Sequence, residues 1–404
     1  MTGTIRVAVD ARLFSGTSGG VETVVVGLAD GLSNVPHPDV DITFVAYAGH
    51  TDWIVNHIGS SIHLAEVPTP GKSLARLGHL LGPLREPVRR IRNAFTRVHT
   101  RIPRDHQLDS LNADVVHFPH QEAGFVSAPF IYQPHDLQHL HMPEFFSKEV
   151  LTRRATFYGP LCRAAARVVV GTSWVKDDVV DKLGVAESKV LVIPLAPVGA
   201  VAPSSNGPPG LPGAYLLYPA AAWPHKNHAR LLEALRLVVD QHPDVHLVLT
   251  GARTGVDIPA IVARLALSDH VHILGFLPEQ DLAAVYQRAR GVVVPTLFES
   301  ASFPIWEAFE RGVPVACSSV TALPRQVGDA AIVFDPYDIG AIAAAITQLW
   351  TDLELRETLI AKGRSRVAKF SWEETARRFV ALYRELAGAA TADDRELLGQ
   401  EPPI

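Results

Sequence analysis

The stretch Gly291–Asp338, GVVVPTLFESASFPIWEAFERGVPVACSSVTALPRQVGDAAIVFDPYD, decides the fold. Three apolar bursts of strand length stand in it, at Val292–Pro295, Val315–Cys317 and Ala331–Phe334. They are continuous β-branched and aliphatic runs rather than alternations of polar and apolar residues. Strands of that kind are buried on both faces, which implies a parallel sheet covered by helices. Between the first two, Pro304 is well placed to open a helix at its first turn, where its missing N–H is no loss.

The alternation continues outward in both directions. Upstream in the same half lie strands at Tyr215–Tyr218, His246–Thr250 and Val271–Leu274. The first half adds Ile5–Val9, Ile42–Ala46, Ile62–Val67, Val115–Phe118, Phe130–Gln133, Val168–Gly171 and Val190–Pro194, with helices such as Val21–Leu32 and Ser173–Leu183 between them. The seam is PVGAVAPSSNGPPGLPG at 197–213, which is rich in Pro, Gly and Ser and has no hydrophobic period. Two doubly wound α/β domains are therefore expected: residues 1–197, a linker at 198–213, residues 214–385, and a tail at 386–404. FSWEETARRFVALYREL predicts a long amphipathic helix, with Ser371 and Glu374 as a capping box. Ligands of open parallel sheets bind beyond the carboxyl ends of the strands, so two such edges facing one cleft are the places to search.

Length and composition agree with this plan. A chain of 404 residues exceeds one typical core. Its formal net charge of −5 argues against a nucleic-acid binder. Cys162 and Cys317 are its only cysteines, so neither a disulfide framework nor a cysteine metal site is expected. MTGTIRVAVDARLF lacks the pattern of a signal peptide, and no apolar run is long enough to span a bilayer. A cytoplasmic protein is expected.

Glu299 stands in the loop after a strand, and Glu307 lies one turn inside the next helix. The amides of Ser300, Ala301, Ser302 and Phe303 surround that helix start, where free N–H groups and the helix dipole favour an anion. A carboxylate beside an anion site is odd unless it serves something else, and it can accept hydrogen bonds from sugar or ribose hydroxyls. The alternative is that Glu299 caps the helix and Glu307 is a solvated helix residue. Lys226 follows the strand AYLLYPA at another helix start, where the dipole disfavours a cation; a diphosphate would explain it. In the first half, SGTSGG (Ser15–Gly20) follows the first strand, and Gly19 and Gly20 would let amides approach a phosphate or an acceptor. A plain tight turn is the alternative there.

PTLFESASFPIWEAFERGVPV and the LPRQVGDAA segment resemble the C-terminal domain of glycosyltransferase family 4, the retaining transferases of GT-B architecture. The resemblance covers nearly the whole chain. It implies two Rossmann-like domains facing a cleft, with the C-terminal helix crossing back to the N-terminal domain. It also implies transfer of a hexose from a nucleoside diphosphate sugar to a hydroxyl of a glycan, lipid-linked sugar or natural product, without metal or cofactor. GDP-mannose is the donor favoured by overall similarity, with UDP-sugars as the alternative. By the same resemblance Glu299 contacts the donor sugar, Glu307 the ribose and Lys226 the diphosphate. His135 of His135-Asp136 touches donor sugar or acceptor hydroxyl. The chain departs from the family at two places. Ser300 and Ser302 stand where many members have glycine, and Ala221 stands where an arginine usually precedes the lysine. Either His225 or Arg253 would then supply the second positive charge, or leaving-group stabilisation is weaker. A sugar-nucleotide isomerase or hydrolase on the same fold, or a non-catalytic nucleotide-sugar binder, are the competing functions.

Two motifs are decoys. His135, His139 and His141, with His117 and His120 upstream, superficially resemble a zinc site but lack a clear helix. Asp39-Val40-Asp41 matches the metal-holding D-x-D pattern of the other large glycosyltransferase fold, and is taken as chance. Finally, Lys72 to Asp105 holds nine basic residues against Glu86 and Asp105, with an apolar stripe from Leu77 to Val98. This segment, 72–104, reads either as a surface for an anionic membrane or acceptor, which would make the protein peripheral at the inner face of the membrane, or as a solvated helix packed on its own domain.

Overall fold

A computed structural model describes residues 3–16, 19–69, 102–197, 199, 201–205 and 207–404. The basic segment therefore lies outside the described residues except for its last three positions. The chain divides into two units, the first comprising Met1–Gly171, Val175–Pro194 and Trp372–Pro402, the second Thr172–Trp174, Leu195–Ser371 and Pro403–Ile404.

Unit 1 holds a parallel sheet of β1 (Ile5–Asp10), β2 (Val40–Tyr47), β3 (Ile62–Val67), β4 (Val115–Phe118), β5 (Phe130–Tyr132), β6 (Arg167–Val170) and β7 (Val190–Val192). Their order is β3-β2-β1-β4-β5-β6-β7. Unit 2 holds β8 (Leu216–Pro219), β9 (Leu247–Thr250), β10 (Val271–Gly275), β11 (Gly291–Val294), β12 (Val315–Ser318) and β13 (Ala331–Phe334), in the order β10-β9-β8-β11-β12-β13. Both sheets are doubly wound, and each reverses its strand order beside its own first strand. The central runs are buried along their length, as VVHF, LVLT, GVVV and VACS show.

The helix Trp372–Leu386 belongs to unit 1, and the main body of the second unit runs to Ser371. Glycine explains its seat on the helix Gly20–Asn34. A Cβ at Gly27 would come within 1.9 Å of the Trp372 ring, and one at Gly31 within 2.3 Å of the Trp372 carbonyl oxygen. Polar clamps then fix it: Thr375 donates to the Pro194 carbonyl at 2.7 Å, and Tyr383 donates to His117 Nδ1 at 2.8 Å. Asp39 of the D-x-D pattern accepts from Arg384 at 2.6 and 2.8 Å, and Asp41 pairs with His63 at 3.3 Å. Asp39 is thus anchored to Arg384 rather than free, and Asp41 stands in β2 beside an exposed histidine. Residues 386–402 also stay with unit 1, through Arg384 on Asp394 and Arg378 on the Gln400 carbonyl. Among the described residues, no helix is long and apolar enough to cross a membrane.

Candidate active site

Unit 2 reverses direction between β8 and β11, the place where open α/β sheets bind ligands. The loops after these two strands carry Lys226 and Glu299. The Lys226 ammonium donates to Glu299 Oε2 at 2.6 Å, across 73 residues of sequence. Both side chains keep partial access to solvent, at 21% and 16%. An ammonium has three donors and a carboxylate about four acceptor sites, so the pair leaves most of both for a ligand.

Asn227 builds the platform beneath Lys226. It adopts left-handed backbone with φ 61°, a conformation Asn tolerates better than most residues. Its buried amide donates to the carbonyls of Pro295 and Pro336, both at 2.9 Å, and so ties together the loops after β8, β11 and β13. The Leu297 amide and the Thr296 hydroxyl both donate to the His225 carbonyl, at 2.7 and 3.2 Å. Glu299 is fixed by Thr321, whose hydroxyl accepts from the Glu299 amide at 3.1 Å and donates to its carbonyl at 2.6 Å. Thr321 holds φ 53°, unfavourable for a β-branched residue, and this strain is localised where the loop must hold its shape.

Two expectations need correction. The Ser302 amide does not face a ligand: it donates to the buried Gln326 side chain at 2.8 Å, which returns a bond to the Ser302 carbonyl. Ser300 and Ala301 remain partly exposed, and Phe303 begins the helix Phe303–Glu310. His225 is not a second cation either. Burial, with the positive charge of Lys226 added, pushes its pKa down to about 3, so it is neutral near neutral pH. Arg253 is the remaining candidate for that charge. It is exposed and lies in the loop after β9, which bonds to the Ala221 loop through the Ala222 amide and the Ala252 carbonyl at 3.0 Å.

Glu307 sits one turn into the Phe303–Glu310 helix and accepts from the Tyr286 hydroxyl at 2.6 Å. Burial raises its pKa above the usual carboxylate value, against the opposing hydrogen bond from Tyr286 and the charge of Arg311. The Arg311 guanidinium also lies over the Tyr286 ring at 5.3 Å. Tyr286, Thr321 and Gln326 are the site residues that the sequence did not announce. Each acts through a partner some 20 residues away, which no local spacing marks.

The remaining candidates belong to unit 1. His135 lies just beyond β5 with φ 63°, and its Nε2–H donates to the Pro119 carbonyl at 2.8 Å. Burial lowers its pKa, so the neutral ring presents Nδ1 as an acceptor. The other histidines have separate tasks. His141 Nε2 meets Asp178 at 2.8 Å, and His139 packs edge-on to Tyr158. Gly19 has φ 52° and Gly20 opens the first helix, both exposed. In the same loop the Gly16 amide and the Ser15 hydroxyl are taken by Glu22, at 2.9 and 3.1 Å. That carboxylate occupies part of what a phosphate would need.

Two family models match, "Glycosyl transferases group 1" over residues 209–366 and "Glycosyltransferase Family 4" over residues 18–196. The chain is 38% identical over 175 residues to O-antigen chain mannosyltransferase B of Escherichia coli, covering 43% of this chain and 46% of that one. It is 31% identical over 174 residues to MMP alpha-(1->4)-mannosyltransferase of Mycolicibacterium hassiacum, covering 42% of each. The matched stretch thus spans less than half the length of either relative. Among solved structures, Anabaena Alr3699/HepE in complex with UDP and glucose superposes with a TM-score of 0.67 at 17% identity, over 94% of this chain and all of that one. At that identity the likeness speaks for the fold. With one family model on each Rossmann-like unit and the GT-B plan shared with solved relatives, the chain belongs to the family 4-like glycosyltransferases.

Proposed function

We propose that this chain transfers a hexose from a nucleoside diphosphate sugar to a hydroxyl of a glycan, lipid-linked sugar or small natural product, with retention of the anomeric configuration. The observation that carries this is the half-buried Lys226–Glu299 pair at the strand-order reversal of unit 2, with Glu307 one turn into the following helix. Lys226 commits one of its three N–H donors to Glu299, and the other two would meet the diphosphate. Charge grows on that leaving group as the sugar–phosphate bond breaks, so a preplaced cation stabilises the transition state more than the ground state. Glu299 would orient the sugar through its hydroxyls, and Glu307 would accept from the ribose while Tyr286 holds its other oxygen. Arg253 would add the second positive charge. The acceptor oxygen then bonds to the anomeric carbon on the face that the phosphate leaves, and the departing phosphate takes the acceptor's proton. His135, neutral and oriented by Pro119, is suited to position a hydroxyl through Nδ1. Charge stabilisation by Lys226 and amides requires no metal or cofactor in this scheme.

Two relatives named as mannosyltransferases support mannose as the sugar, and GDP-mannose is the donor proposed. The test is thermal shift of the purified protein with GDP-mannose and with UDP- and TDP-sugars. GDP-mannose is expected to raise the melting temperature by several degrees through binding linkage. Stabilisation by no nucleotide sugar would overturn the proposal, and a preference for a UDP-sugar would overturn the choice of donor.

A further inference from the structure

A second constellation stands where the sheet of unit 1 reverses its order, between β1 and β4. Asp10 ends β1 and His120 lies two residues beyond β4, so both are at the carboxyl edge where such sheets take ligands. Both are buried, at 2% and 3% exposure. Arg12 grips Asp10 with two bonds of 2.7 Å and also donates to Asp105 and, at 3.1 Å, to Gln107. Burial opposes ionisation of Asp10, but Arg12 outweighs it and holds the carboxyl well below its usual range. Among Asp10, Arg12 and Asp105 alone, the carboxylates outnumber the guanidinium by one.

His120 is the unfinished part of the arrangement. Neither of its buried ring nitrogens has a hydrogen-bond partner among the described residues. Its Nε2 points to Asp10 Oδ2 from 3.6 Å, too far for a bond. Buried polar groups in native proteins are normally satisfied by protein, water or ligand. The neighbouring histidines are already used: His135 bonds to the Pro119 carbonyl, and His117 bonds to Gln133 and Tyr383.

We infer that His120 and Asp10 form a subsite for a neutral sugar hydroxyl of the acceptor. This rests on the transfer function proposed above and names the chemistry of its acceptor. A hydroxyl donates and accepts at once, so it can satisfy an imidazole nitrogen and a carboxylate oxygen together. A phosphate or carboxylate would instead meet Asp10 and Asp105 across an Arg12 already committed to both, and like charge repels it. The acceptor group read here is thus an uncharged polyol.

The test uses the full chain labelled with 13C-histidine, in which the His120 ring signal is assigned by its loss in His120→Asn. Methyl α-mannopyranoside is expected to shift that signal. Mannose 6-phosphate at the same concentration is expected to leave it in place, and His120→Asn to weaken methyl α-mannopyranoside binding about ten-fold. A shift with the phosphorylated sugar equal to or larger than with the neutral one would overturn the inference, as would no shift with either. The titration needs no turnover. A His120 shift in a protein that neither binds nor consumes a nucleotide sugar would support the subsite and sink the transfer function alone.

Discussion

The two units share one topology and place opposite chemistry at the same point in it. Where unit 1 reverses its strand order, Asp10, Arg12 and Asp105 form an ion network with side-chain exposures of 3%, 10% and 13%. Where unit 2 reverses, Lys226 and Glu299 form a two-member pair at 21% and 16%, with donors and acceptors left over. A buried network is costly to break because each remaining charge is stranded away from water. A partly exposed pair is easily exchanged for ligand contacts, since water and substrate can take over from either partner. The difference teaches where each unit spends its charge: unit 1 on holding its edge together around one unsatisfied histidine, unit 2 on a pair with donors and acceptors to spare.

The sharpest way to break this comparison is Arg12→Leu. It leaves two carboxylates buried without a cation, and is expected to destabilise the protein by about 3–5 kcal/mol in chemical denaturation. A loss below about 1 kcal/mol would mean that the network is solvated after all. Next comes Lys226→Ala, expected to change stability by less than about 1 kcal/mol. Transfer measured with a nucleotide sugar should fall about 10²–10³-fold through lost leaving-group stabilisation. A variant that melts early but transfers normally would reverse the roles assigned to the two edges.

The smallest expected effect concerns Glu307→Gln. Burial raises the Glu307 pKa in the folded protein, so the protonated form is the one folding favours. Its stabilising contribution is fully present below the unfolded pKa and is lost as pH rises through the folded one. The glutamine variant has no such loss. It should therefore gain melting temperature relative to wild type at about pH 8 and not at about pH 4, while its affinity for nucleotide sugar falls. Equal melting differences at both pH values would show that Glu307 is not strained by its burial.

Much of the fold was legible before any coordinates. Every strand read from the sequence is present within two residues of its expected bounds, and the helix Ser173–Leu183 matches residue for residue. The loops carrying Lys226, Glu299 and Glu307 were legible for the same reason. Each follows a strand whose period and composition mark its end locally. The main body of unit 2 begins at Leu195, so the Pro-, Gly- and Ser-rich stretch falls inside that unit.

The sequence by itself thus determined the parallel sheets, the two-unit plan and the loops that carry the candidate residues, because backbone periodicity and turn residues act over a few positions. Only the tertiary structure decided which of those residues meet. It joined Lys226 to Glu299 across 73 residues, gave the Ser302 amide to Gln326, and returned the helix Trp372–Leu386 to unit 1 through Gly27 and Gly31. It also buried His225 beside Lys226, which pushes its pKa down, and left both ring nitrogens of His120 without a hydrogen bond. Burial and non-local hydrogen bonds set those outcomes, and neither is a property of neighbouring letters.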